Sequence, residues 1–134
     1  MAKLIDVEGI GPVYADKLKR AGLSTTAGLL KKGATPASRK EIAAKAGVSD
    51  HQVLEWVNRV DLFRIKGVAE EYSDLLESAG VDTVVELAQR NAASLFEKMT
   101  QVNASKKIVR KLPAKSQIED WIAQAKRLPR AVSY

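Results

Sequence analysis

Apolar positions recur along the chain at spacings of three and four, in short runs broken by Gly, Pro and hydroxyl residues. Tyr14, Leu18 and Ala21 share one side of a helical projection while Asp16, Lys17, Lys19 and Arg20 fall elsewhere, which predicts a surface helix that Gly22 ends. Ser24-Thr25-Thr26 then caps a short helix over 27–32 closed by Gly33, and Thr35-Pro36 opens another that runs to about Ala46. Gly47 and Ser49 mark a turn and a cap before a helix carrying Val53, Trp56 and Val57. The second half reads the same way. Residues 78–83 end one helix and cap the next over 84–90, and Leu95, Phe96 and Met99 line an apolar face. Residues 103–115 are basic with Ile108, Val109 and Leu112 as a buried complement. A last helix over 116–127 carries Trp121, and 128–134 is an extended tail. No alternating stretch signals a sheet. The pattern predicts an all-α array of about eight to ten short helices.

The pattern also repeats. At an offset of 58 with no gap, Val7, Gly9, Ile10, Tyr14, Leu18, Ala21, Gly22, Leu23, Thr25 and Leu29 fall on Ile65, Gly67, Val68, Tyr72, Leu76, Ala79, Gly80, Val81, Thr83 and Leu87. Matches this dense over about 25 positions indicate a duplicated unit. Val53-x-x-Trp56-Val57 returns as Ile118-x-x-Trp121-Ile122 at an offset of 65, so the second copy carries seven further residues between its hairpin and its tryptophan. The expected organisation is a first repeat over 1–62 and a second over 63–134, packed as one compact unit, with both tryptophans in equivalent core positions.

At the head of the first repeat stands Val7-Glu8-Gly9-Ile10-Gly11-Pro12. Two glycines around one aliphatic residue permit a tight hairpin, and Pro12 suits a first helical turn. Backbone N–H groups left free at such a helix start attract anions, phosphate above all. Residues 5–26 resemble the helix-hairpin-helix motif, whose hydrophobic-Gly-hydrophobic-Gly turn meets the sugar-phosphate backbone of DNA without reading bases. That resemblance makes Gly9, Ile10, Gly11 and Val13 candidate nucleic-acid contacts through their backbone, with Lys17, Lys19 and Arg20 as flanking cations. The second hairpin, Arg64-Ile65-Lys66-Gly67-Val68-Ala69, lacks the second glycine, and Glu70, Glu71, Asp74 and Glu77 follow it. Carboxylates there oppose a phosphate, so it is expected to be a packing element.

A content of 46% hydrophobic residues in 134 supports a real core. The absence of cysteine excludes disulfides and thiolate metal sites, and a single histidine excludes ordinary multi-histidine centres. No cofactor or metal is expected. There is no long apolar run, and an acidic residue stands at position 6, which argues against a signal peptide or membrane span and makes the cytoplasm the default compartment. The net charge of +6 is unevenly spread. Residues 1–62 hold ten Lys/Arg against seven Asp/Glu, 63–97 hold three against seven, and 98–134 hold nine against two. Basic ends around an acidic middle suit nucleic acid and equally suit solubility or association with protein.

A second signal lies in residues 39–57, where Ile42-Ala43, Ala46-Gly47-Val48, Val53 and Trp56 match helix-turn-helix spacing. A functional reading would put Asp50, His51, Gln52 and Glu55 in a major groove. Two of those are carboxylates, and the second copy has Leu112-Pro113-Ala114 where the first has Gly47-Val48-Ser49. Both points favour a helical corner over a base reader.

Taken together, AGLSTTAGLL, LEWVNRVDLFRIKGV, AGVDTVVELAQR and DWIAQAKRLPR resemble the uncharacterised bacterial family known as domain of unknown function 4332. The resemblance implies a tandem, duplicated helix-hairpin-helix fold and DNA binding as its function. Two functions therefore stand: a non-catalytic module on the nucleic-acid backbone, or a protein-interaction scaffold whose hairpins only join helices. A helix-turn-helix regulator is a third. An enzyme is not expected, because no Ser/His/Asp or Cys/His set is present, and Gly9-x-Gly11 lacks the later Gly of a dinucleotide loop and the Lys of a P-loop.

Overall fold

Several helices start where the sequence offers a side-chain cap. Thr25 Oγ1 accepts from the Gly28 N–H at 3.0 Å, Thr35 Oγ1 from Ser38 at 3.2 Å, Thr83 Oγ1 from Glu86 at 3.1 Å and Asn91 Oδ1 from Ser94 at 3.1 Å. Each satisfies one first-turn donor that the helix cannot. Ser49 and Gln52 form a reciprocal pair: Ser49 Oγ accepts from the Gln52 N–H, and Gln52 Oε1 accepts from the Ser49 N–H. In the computed structural model, which describes residues 3–7 and 9–134, these caps open four of the helices α1 Pro12–Arg20, α2 Thr26–Lys32, α3 Pro36–Ala46, α4 Asp50–Leu62, α5 Glu70–Ser78, α6 Val84–Ala88, α7 Ala92–Lys106 and α8 Lys115–Arg127, and the Ser49/Gln52 pair opens α4. A 3₁₀ turn, Leu4–Asp6, precedes them. The only strand-like feature among the described residues is one antiparallel bridge, Lys3 to Thr25. The protein is all-α, as its periodicity predicts. Glu8 of the hairpin lies outside the described residues.

α6 is shorter than the expected 84–90. The N–H groups of Gln89 and Arg90 turn back to carbonyls only three residues behind, Glu86 and Leu87, because Asn91 must be extended (φ −86°, ψ 129°) to cap α7. The basic stretch 103–115 is likewise divided. Its first four residues finish α7, and Lys107 leaves in the left-handed region at φ 51°. Asn103 then clamps Val109 by two bonds, accepting from its N–H at 2.9 Å and donating to its carbonyl at 3.1 Å.

The chain divides into two compact units, residues 1–61 with 130–134, and residues 62–129. Residues 130–134 are part of unit 1, where Ala34 and Arg39 bond Ser133 and Val132 is buried.

Each unit has the same interior plan. In unit 1 Val7, Ile10, Leu18, Leu23 and Leu29 are buried; in unit 2 Ile65, Val68, Leu76, Val81 and Leu87 are. α1 and α5 end alike. The Leu23 N–H reaches back to Leu18 and Gly22 to Lys19, as Val81 reaches Leu76 and Gly80 reaches Glu77, all at 2.9 Å. This pairing is the Schellman ending, which needs a left-handed residue after the cap, and Gly22 and Gly80 supply it at φ 89° and 93°. Trp56 and Trp121 are 4% and 1% exposed. Their rings meet Tyr14 and Tyr72 at 5.2 and 5.4 Å, tilted by 53° and 50°. In unit 1 α1 packs on α3; in unit 2 α8 packs on α6 and α7, and α5 on α7.

Candidate nucleic-acid interface at the first hairpin

The two glycines of the first hairpin do different jobs. Gly9 has φ 89°, a conformation that L side chains rarely adopt, and a Cβ built there would stand 3.3 Å from Trp56 Nε1. Gly67 repeats this at φ 97°, with Trp121 Nε1 only 2.9 Å from such a Cβ. In both units the tryptophan lies directly under the hairpin, which explains why hairpin glycine and tryptophan recur together. Gly11 is unlike either. Its φ of −80° and ψ of −174° are ordinary extended backbone, and a Cβ there would meet nothing within 4 Å. Its counterpart Ala69 is extended too, at φ −115° and ψ −167°. The fold therefore does not require glycine at 11.

Gly11 is the N-cap of α1 and supplies no capping side chain; Pro12 follows at the first helical position. Pro12 has no N–H, so the exposed first-turn donors of α1 are those of Val13 and Tyr14, which lie too early in the helix for an intrahelical acceptor. Val13 itself is 67% exposed. Ile10 departs from expectation: its side chain is 1% exposed and its N–H donates to the Val7 carbonyl at 2.9 Å. It holds the hairpin shut and offers neither side chain nor donor to a ligand. Gly9, turned by its left-handed φ over Trp56, is likewise a shape-setting residue.

The three cations differ as well. Lys19 is exposed on a shallow groove that Lys3, Ile5, Pro12 and Ser24 also line. Lys17 is half-buried, its Nζ 5.5 Å above the Tyr14 ring. Arg20 bonds Asp16 at 3.0 Å in an exposed pair one turn apart. All three stand in the last turn of α1, where they also complement the helix C-terminus. Helical side chains lean toward the N-terminus, and Lys17 stands four residues, about 6 Å of rise, behind Val13. Lys17 thus leans toward the open end of the helix from one turn behind it, Lys19 stands about 9 Å of rise behind Val13, and Arg20 shares an exposed pair with Asp16. Lys3 and the 45%-exposed Ile5 extend the same surface. Their only signal in the sequence is position, just before the hairpin.

The second hairpin is fronted by carboxylates. Glu70 and Glu71 stand in the first turn of α5, and Gln124 grips the loop, accepting from the Lys66 N–H at 2.8 Å and donating to its carbonyl at 3.0 Å. At the α3–α4 corner Gly47 is left-handed at φ 71°. There Gln52 is engaged with Ser49, and His51 bonds Glu55 at 2.8 Å on the outer face. Among the described residues no group of His, Asp or Glu is placed to hold a metal ion, and no helix is long and apolar enough to cross a membrane.

Fold and site define an all-α protein of two helical units with like interiors, each built on a glycine hairpin over a tryptophan. The chain belongs to the family described as domain of unknown function DUF4332, whose model matches residues 8–128. No curated protein and no solved structure matches it.

Proposed function

We propose that this chain is a non-catalytic, cytoplasmic helix-hairpin-helix module that holds the sugar-phosphate backbone of DNA without reading its sequence. The observation that carries the reading is the glycine at position 11. Neither its backbone angles nor its neighbours demand glycine, and it leaves the start of α1 without the capping side chain that Ser, Thr, Asp or Asn would supply. A phosphate oxygen can there approach the N–H groups of Val13 and Tyr14, with Lys17 and Lys19 to offset its charge. Unit 2 takes no part, since its hairpin is clamped by Gln124 and fronted by carboxylates.

The competing reading, a protein-interaction scaffold, draws on that same clamp, which ties a hairpin of this plan to a helix of its own unit. The exposed Ile5 and Val13 at the first hairpin also suit an apolar partner. A fluorescence-anisotropy titration against duplex, single-stranded and branched DNA of equal length separates the two. Binding to duplex that does not depend on sequence supports the module; no binding to any of the three at about 50 mM salt, where phosphate contacts are strongest, leaves the scaffold.

A further inference from the structure

Arg39, Ile42, Ala43 and Ala46 form the buried stripe of α3, at the spacing of an apolar face but with a guanidinium in first place. Arg39 is 5% exposed. Its Nη1 donates to the Gly33 carbonyl at 2.9 Å, and its Nη2 to the Ser133 carbonyl at 2.7 Å. Around that pair the Ser133 N–H and Oγ both donate to the Ala34 carbonyl, at 2.8 and 3.1 Å. Val132 is buried, and Tyr134 meets Asn58 Oδ1 through its hydroxyl at 3.0 Å. The Tyr134 ring lies 6.0 Å from the Arg39 guanidinium and 5.5 Å from that of Arg130. Main-chain bonds combined with a buried side chain are how a groove recognises an extended peptide.

A guanidinium this deeply buried requires acceptors for its donors. One comes from its own segment. The other comes from residues that belong to unit 1 only by contact, being joined to it in sequence through all of 62–129. On the far side of the joint, the Pro129 carbonyl accepts from Arg64 Nη1 at 2.8 Å within unit 2. The segment that fills the cleft is thus separated from its neighbour by a single backbone joint, between Pro129 and Arg130.

We propose that the cleft formed by Gly33, Ala34, Arg39 and Asn58 is a peptide-binding site, and that it takes the segment Arg130-Ala131-Val132-Ser133-Tyr134 from a second copy of the chain when its own is displaced. A second copy presents identical donors, acceptors and ring, so exchange reproduces the whole set of bonds and only the association entropy is added. In the unaltered chain the attached segment wins, because covalent attachment holds it at an effective concentration of order millimolar. Exchange therefore emerges only when cis docking is broken.

The test uses two full-length variants with complementary defects: Val132→Asp, which spoils the segment, and Arg39→Met, which spoils the cleft. Each alone sediments as a monomer, because every copy then carries the same defect in segment or in cleft. Mixed one to one, they form a heterodimer, since one copy supplies a sound cleft and the other a sound segment. A mixture that stays monomeric, with both variants folded by circular dichroism, overturns the proposal. If Val132→Asp does not fold, Ser133→Pro replaces it, removing the N–H and hydroxyl while leaving Val132. A second arm needs no cleft variant. Labelled Leu-Pro-Arg-Ala-Val-Ser-Tyr binds the Ser133→Pro chain at least about tenfold more tightly than the unaltered chain, whose own segment competes at that effective concentration. Equal binding to both, or to neither, refutes the site.

Discussion

Replacing the hairpin glycines one at a time separates shape from ligand contact. Alanine at Gly9 must hold φ near 89° and press its Cβ to 3.3 Å from Trp56 Nε1. The backbone contributes about 1–2 kcal/mol and the crowding of a buried indole about 1 kcal/mol more. Gly9→Ala therefore costs about 2–3 kcal/mol, roughly 8 °C or more in Tm for a unit of this size. Gly67→Ala costs more, because its Cβ would stand 2.9 Å from Trp121 Nε1 at φ 97°. Gly11→Ala meets neither penalty. The loss of a favourable N-cap glycine is offset by the lower entropy of the unfolded chain, leaving a net change within about 0.5 kcal/mol. Urea denaturation followed by tryptophan fluorescence reads all three, and the expected order of destabilisation is Gly67, then Gly9, then Gly11 near zero. Gly11→Val, its folding checked by circular dichroism, should weaken DNA binding by placing two methyl groups where the phosphate approaches. A Gly11→Ala variant as unstable as Gly9→Ala would refute this division of roles.

The other expectations are more local. Gln124→Ala removes both bonds to the Lys66 backbone and costs about 1–2 kcal/mol in urea denaturation, with DNA affinity unchanged. Gln52→Ala loses the reciprocal cap of α4 and costs about 0.5–1 kcal/mol, whereas His51→Ala and Glu55→Ala stay within about 0.5 kcal/mol. None of these three alters DNA affinity or preference; a helix-turn-helix reader would lose about 1–3 kcal/mol per base contact. Trp56→Ala and Trp121→Ala each cost about 3–5 kcal/mol by the cavity they leave, measurable as paired losses of stability by calorimetry.

Much of this architecture is legible in the sequence because it depends on local chemistry. Thr25, Thr35, Thr83 and Asn91 cap where they stand, and Gly22 and Gly80 end their helices, since such bonds join residues a few positions apart. The tryptophan positions are readable from the repeat alone. What the sequence hides is long-range or conformational. Gly9 and Gly11 are the same letter, and only their φ angles and the indole beneath Gly9 tell them apart. Ile10 reads as part of the motif, yet its N–H is consumed by Val7. Arg20 reads as a free cation until Asp16 is found beside it, although their spacing of four is a hint. The docked segment is the least legible: its partners Ala34 and Arg39 lie more than ninety residues away. Its one clue is an arginine on the apolar stripe of α3.

The central claim is that the bare start of α1 holds phosphates with help from Lys17 and Lys19. It is tested most directly by the slope of log K against log salt for duplex DNA, measured for the unaltered chain and for Lys17→Ala/Lys19→Ala. Each phosphate that loses its cation flattens the slope by about 0.9, so the double variant should bind more weakly with a slope shallower by about 1.8, while Arg20→Ala, already paired with Asp16, and Lys66→Ala should change it by well under 0.9. Equal slopes for the unaltered chain and the double variant, or a larger change from Lys66→Ala, would contradict the account.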